Sequence, residues 1–124
     1  MMPSRHIWIQ YIPAVVMTVG IAIVSLVESA YVPQGLSAKD KLLHGAMYAL
    51  LTLTWLVPLV RHFSSRWSPY VYVWLGVTLF GSVMEVLQRF CTLTRSGEMA
   101  DVYADAIGAL VGLAIVALWQ WTKK

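Results

Sequence analysis

Four apolar runs, each roughly the 20 residues that a bilayer-spanning helix requires, dominate this 124-residue chain. They cover about residues 7–27, 41–60, 70–90 and 101–121. A chain so divided has no room for a separate soluble domain, and its connections are short, which favours antiparallel neighbours. The expected fold is therefore all-α: one transmembrane domain over residues 1–124, built as a four-helix up-down bundle. Composition agrees, since only 12% of the residues are charged, against about 25% in a soluble domain that must solvate its surface.

Local signals support these limits. Pro33 and Gly35 interrupt the chain before Ser37-Ala38-Lys39-Asp40, a Ser-x-x-Asp variant of the capping box that opens the second run. Ser68-Pro69 opens the third. Ser96-Gly97-Glu98 precedes the fourth, whose first turn carries acids where the helix dipole favours them. Pro13 is placed to kink the first run, and Pro58 lies close to the end of the second. Arg5 before an apolar run and Ser29-Ala30 after it imitate a secretory signal, but the run is longer than a signal core. A single cysteine, Cys91, excludes an intramolecular disulfide, and its boundary position suits a passive residue better than a nucleophile.

Charge sets the expected orientation. The N-terminus, second loop and C-terminus share one side and carry Arg5, Arg61, Arg66, Lys123 and Lys124 without an acid. The other side, with its helix ends, carries Lys39, Lys41, Arg89 and Arg95. The positive-inside rule then places both termini in the cytoplasm. Trp8, Trp67, Trp119 and Trp121 fall near the cytoplasmic boundaries, as interfacial aromatics do. No basic run suggests a nucleic-acid groove.

All six carboxylates belong to the opposite, extracytoplasmic half. At 1.5 Å rise per residue, His44, Glu85 and Asp105 should lie at similar depth, roughly 5–8 Å below that boundary. Their faces are defined too. Lys41, His44, Tyr48 and Thr52 form one stripe, and Gly81, Glu85 and Gln88 another. Asp101, Asp105, Gly108 and Gly112 form a third, so the acidic face of the last helix is also its small-residue face. Gly108-x3-Gly112 permits close approach of another backbone. An ionisable side chain costs about 2.5–3.5 kcal/mol at a helix centre, so groups of both signs are expected to converge and face a partner helix.

Asp40-Lys41-Leu42-Leu43-His44, then Tyr48, then Glu85-x2-Gln88, then Arg95-x5-Asp101-x3-Asp105-x2-Gly108-x3-Gly112 resembles the VanZ-like family of bacterial integral membrane proteins. The matching stretch spans about Asp40 to Gly112. Asp105 stands where many family members carry Asn. The resemblance implies the bacterial cytoplasmic membrane, a role at the cell envelope, and for some relatives tolerance of glycopeptide antibiotics such as teicoplanin.

His44, Glu85 and Asp105 are the candidates for acid–base work, an imidazole being able to give and take protons near neutral pH. Lys41, Arg89 and Arg95 are the candidate anion clamp, a guanidinium offering forked donors, with Tyr48 and Gln88 beside them. Each has a blander reading. Asp40 caps a helix and Asp101 complements a dipole. Glu85 pairs with Arg89 one turn on, and Gly108 with Gly112 serves packing. The leading expectation is an outward-facing site that binds, and if it is an enzyme modifies, an anionic lipid headgroup or lipid-linked envelope precursor. The alternative is a non-enzymatic scaffold or interaction protein whose cluster is a salt-bridge network. A proton- or ion-coupled transporter ranks last, because Gln10, Thr18 and Thr54 make no convincing path to the cytoplasm. No cofactor is expected: Asp40, His44, Glu85, Asp101 and Asp105 are suitable donors for a divalent metal, but no spacing demands one.

Overall fold

Pro13 divides the first apolar run. The structure, a computed structural model, describes residues 4–26, 40–63, 66–91 and 99–123. In it a short helix α1 (Ser4–Ile9) gives way to α2 (Ile12–Leu26) through a tight turn, where Gln10 N donates to Ile7 O at 3.2 Å and Tyr11 N to Trp8 O at 3.1 Å. Proline has no N–H to continue the ladder, and its ring crowds the carbonyl four residues back, here Ile9. The expected kink is thus a break. The helices α3 (Asp40–His62), α4 (Ser68–Cys91) and α5 (Met99–Thr122) follow, and every regular element among the described residues is α-helical. Pro69 occupies the first turn of α4, where a missing N–H costs nothing. The Ser37 half of the capping box, Glu28 and Glu98 lie outside the described residues.

Four spans are long and apolar enough to cross a membrane: Ile7–Leu26, Lys41–His62, Ser68–Phe90 and Asp101–Thr122. Their outer faces are apolar. Leu42 is 76% exposed, Leu79 66% and Ile107 61%, which water would not tolerate as a continuous surface and lipid requires.

The interior is held by small residues as much as by large ones. The most intimate helix pair is α3 with α5, which run parallel: His44 faces Asp105, Gly45 faces Gly108, and Ala49 with Thr52 faces Gly112. A Cβ on Gly108 would lie 2.8 Å from Gly45 Cα, and one on Gly112 would lie 2.8 Å from both Ala49 O and Thr52 Cβ. The short connections favour antiparallel neighbours in sequence, yet the closest contact is between these alternate helices. Gly108 and Gly112 on α5 let the two backbones approach where side chains would hold them apart. Tyr48, Leu51, Leu56, Val73, Val77, Ala109 and Val116 fill the centre.

Against this unit lies α2, packed on α3 and α4. Trp55 Nε1 donates to Thr18 Oγ1 at 3.0 Å, and Tyr11 OH lies 3.2 Å from His62 Nδ1, which sets α2 antiparallel to α3. At the other end Gln88 Nε2 donates to the Ser25 carbonyl at 2.7 Å.

Candidate functional site

The N-terminal ends of α3 and α5 and the C-terminal end of α4 meet at one end of the bundle. His44 sits in the second turn of α3, Asp105 in the second turn of α5, and Glu85 six residues before the end of α4. All three are buried, with Asp105 at 0% exposure. Each offers a nitrogen or carboxylate oxygen, and these atoms all lie within 4.8 Å of one another. Convergence of three ionisable side chains from three separate helices is the central fact of the site.

His44 Nδ1 and Asp105 Oδ1 are 3.1 Å apart. A carboxylate can only accept, so Nδ1 donates in this contact whether the imidazole is neutral or charged. Tyr48, one turn below, stacks on the imidazole with centroids 6.4 Å apart and an interplanar angle of 9°. Its ring in turn meets Phe80 at 6.1 Å. The imidazole is therefore oriented by Asp105 and supported from beneath by an aromatic column.

Backbone proximity places Asp105. A Cβ on Gly81 would lie 2.6 Å from Asp105 Oδ2 and 3.1 Å from its Cβ, so only glycine at that position lets the carboxylate sit against α4. Gly45, the neighbour of His44, receives Gly108. Gly45 and Ser25 are site-forming positions that sequence reasoning passed over. Gly45-x3-Ala49 has the same spacing as Gly108-x3-Gly112 and was the available signal.

The remaining predicted residues fall into three groups. Asp101, buried at 4% exposure, lies one turn beyond Asp105, while Gly108 and Gly112 form the helix contact. Gln88 is buried and its amide nitrogen serves the α2 carbonyl, so it ties α2 to the site end of α4. Lys41 and Arg89 are exposed at the rim. Asp40 begins α3, whereas Arg95 lies outside the described residues.

An apolar cleft of about 300 Å³ lies deeper, between α2, α3 and α4, lined among others by Thr18, Leu51, Trp55, Gly76 and Phe80. Phe80, which meets the Tyr48 ring, lines this cleft together with Leu51, seven residues or about 10 Å along α3 from His44.

Chemically, a buried imidazole with an oriented tautomer can exchange protons, and an imidazole with two carboxylates is a ligand set for a divalent cation. A family model described as VanZ/LLP1 matches residues 5–120. No curated protein and no solved structure matches.

Proposed function

The chain belongs to the VanZ/LLP1 family, and from that premise we propose that it acts at the bacterial cell envelope by binding an anionic lipid headgroup, or a lipid-linked envelope precursor, at the end of the bundle that carries His44. That end faces out of the cytoplasm by the distribution of Lys and Arg. The observation that carries the reading is the meeting of His44, Glu85 and Asp105 within 4.8 Å at one end of the bundle.

Two features support a lipid rather than a soluble ligand. Lys41 and Arg89 are exposed and lie within about one helical turn of His44 and Glu85 in sequence, and Arg95 falls between α4 and α5 in the sequence. The apolar cleft deeper in the bundle, which is lined by the Phe80 ring that Tyr48 meets, then offers acyl chains a surface. His44 orients the headgroup or moves a proton to and from it through Nε2. Tolerance of glycopeptides of the teicoplanin type would follow if the bound lipid is one that such drugs meet at the envelope.

The test is lipid retention by the protein in nanodiscs of phosphatidylglycerol against phosphatidylcholine. A basic residue near an anionic surface contributes about 1 kcal/mol, so neutralising Lys41, Arg89 and Arg95 together should weaken the preference roughly 100-fold. Unchanged preference in that triple variant refutes the clamp. A second reading, favoured by the buried His44–Asp105 contact inside the glycine-packed interface, makes the cluster a polar network that holds the bundle and gives the protein a scaffold role.

A further inference from the structure

We propose that His44, Glu85 and Asp105 are the protein ligands of a divalent transition-metal ion, Zn²⁺ or Mn²⁺, that bridges the site to an anionic oxygen. The sequence carries no metal motif because the three donors come from three helices. Only the packed bundle brings them within 4.8 Å.

Distances fit such an ion. With bonds of about 2.1 Å, two adjacent ligand atoms stand about 3.0 Å apart in an octahedron and about 3.4 Å apart in a tetrahedron, and opposite ones about 4.2 Å apart. His44 Nδ1 and Asp105 Oδ1, at 3.1 Å, match the edge of such a polyhedron. The 4.8 Å limit on the whole set lies only a little above the roughly 4.2 Å span of opposite ligands. In that state the Nδ1 proton is replaced by the metal.

Charge gives the independent reason. Glu85 and Asp105 are 6% and 0% exposed, and two carboxylates brought together in a low-dielectric interior favour a cation between them. They would also repel the anion that the exposed Lys41 and Arg89 attract. A dication between the carboxylates and the anion reconciles an acidic interior with an anionic ligand. The imidazole selects a transition ion over Mg²⁺ or Ca²⁺, and three protein ligands leave a coordination position for a phosphate or carboxylate oxygen. Ion binding stands on this geometry alone, while the bridging role rests on the headgroup reading above.

The experiment uses untagged full-length protein in detergent, stripped with a chelator and titrated with Zn²⁺ and Mn²⁺ by equilibrium dialysis and, for Mn²⁺, by electron paramagnetic resonance. One ion per chain is expected. Affinity should fall at least 100-fold in Glu85→Gln, Asp105→Asn and His44→Ala, and stay unchanged in His62→Asn, which removes an exposed histidine elsewhere. Because loss of a buried group can unfold the protein, His44→Cys keeps a donor and should shift preference from Mn²⁺ towards Cd²⁺. Absence of stoichiometric binding to the wild type, or equal binding by the folded variants, overturns the proposal. Wild-type lipid retention in phosphatidylglycerol nanodiscs, measured with and without EDTA, separates it from the headgroup reading. Anion preference that survives EDTA in a protein that binds no metal removes the ion and leaves the headgroup. Metal binding without lipid preference removes the headgroup and leaves the ion.

Discussion

Replacing Gly108 with alanine adds one methyl group at the tightest glycine contact among the described residues. The new Cβ would lie 2.8 Å from Gly45 Cα and 2.9 Å from Gly45 C, and closer still to the Gly45 carbonyl oxygen. Carbon atoms pack best about 3.5–4.0 Å apart, so α3 and α5 must separate by about 0.7 Å or more, since backbone cannot rotate aside as a side chain can. Overpacking of this kind costs about 1–3 kcal/mol, outweighing the gain of about 0.8–1 kcal/mol in helix propensity. The same displacement would lengthen the His44–Asp105 contact from 3.1 Å to about 3.8 Å, beyond hydrogen-bonding range. Two controls isolate the cause. A Cβ on Gly20 meets nothing within 4 Å, and one on Gly45 meets only the Ala104 carbonyl at 3.7 Å. Thermal unfolding in detergent, followed by tryptophan fluorescence, should show Gly108→Ala melting roughly 5–15 °C below Gly20→Ala, with Gly20→Ala and Gly45→Ala at or slightly above wild type. A Gly108→Ala protein as stable as the Gly20→Ala control, or a Gly45→Ala protein equally damaged, refutes the proposed packing of α3 on α5.

Gln88→Ala removes the 2.7 Å hydrogen bond from α4 to the Ser25 carbonyl and should cost about 0.5–1.5 kcal/mol, seen as faster proteolysis after α2 while α3–α5 stay protected. Orientation is open to cysteine labelling in a Cys91→Ser background. Lys41→Cys and Arg89→Cys should react with an impermeant maleimide on intact cells, and Lys123→Cys only after lysis; the reverse pattern would place the site in the cytoplasm.

The four spans were legible because lipid imposes a length and a hydrophobicity that no packing detail overrides. The buried stripes were legible for a related reason: His44, Tyr48 and Thr52, or Asp101, Asp105 and Gly108, recur at helical spacing and have no stable place facing hydrocarbon. Pro13 announced an interruption but not its size, since kink and break differ by a few local hydrogen bonds. The pairing of α3 with α5 was hidden, because Gly45 is inconspicuous beside His44 and its partner lies 63 residues away. Distances among the three site residues were likewise out of reach: helical spacing gives depth and direction but not how closely three helices approach. That approach depends on Gly81, Gly108 and Gly112, where an added Cβ would clash.

Glu85→Gln separates the readings of the cluster more sharply than any loss of function. If the cluster is a structural ion network, Glu85 is one member of a compensated buried set, and neutralising it strands the opposite charge at a cost of about 3–5 kcal/mol. The variant should then unfold at markedly lower temperature with or without metal. If the cluster is an ion site, metal-free protein holds two carboxylates with their ligand atoms within 4.8 Å of each other, and the amide removes a repulsion. Metal-free Glu85→Gln should then melt at or above metal-free wild type. Added Zn²⁺ or Mn²⁺ should stabilise the wild type and do little for the variant, because a ligand raises stability only in proportion to its binding. Measuring both proteins in EDTA and in metal makes the sign of one difference decisive. A metal-free variant far less stable than metal-free wild type would leave the carboxylate working as structure, since relief of repulsion cannot destabilise the fold.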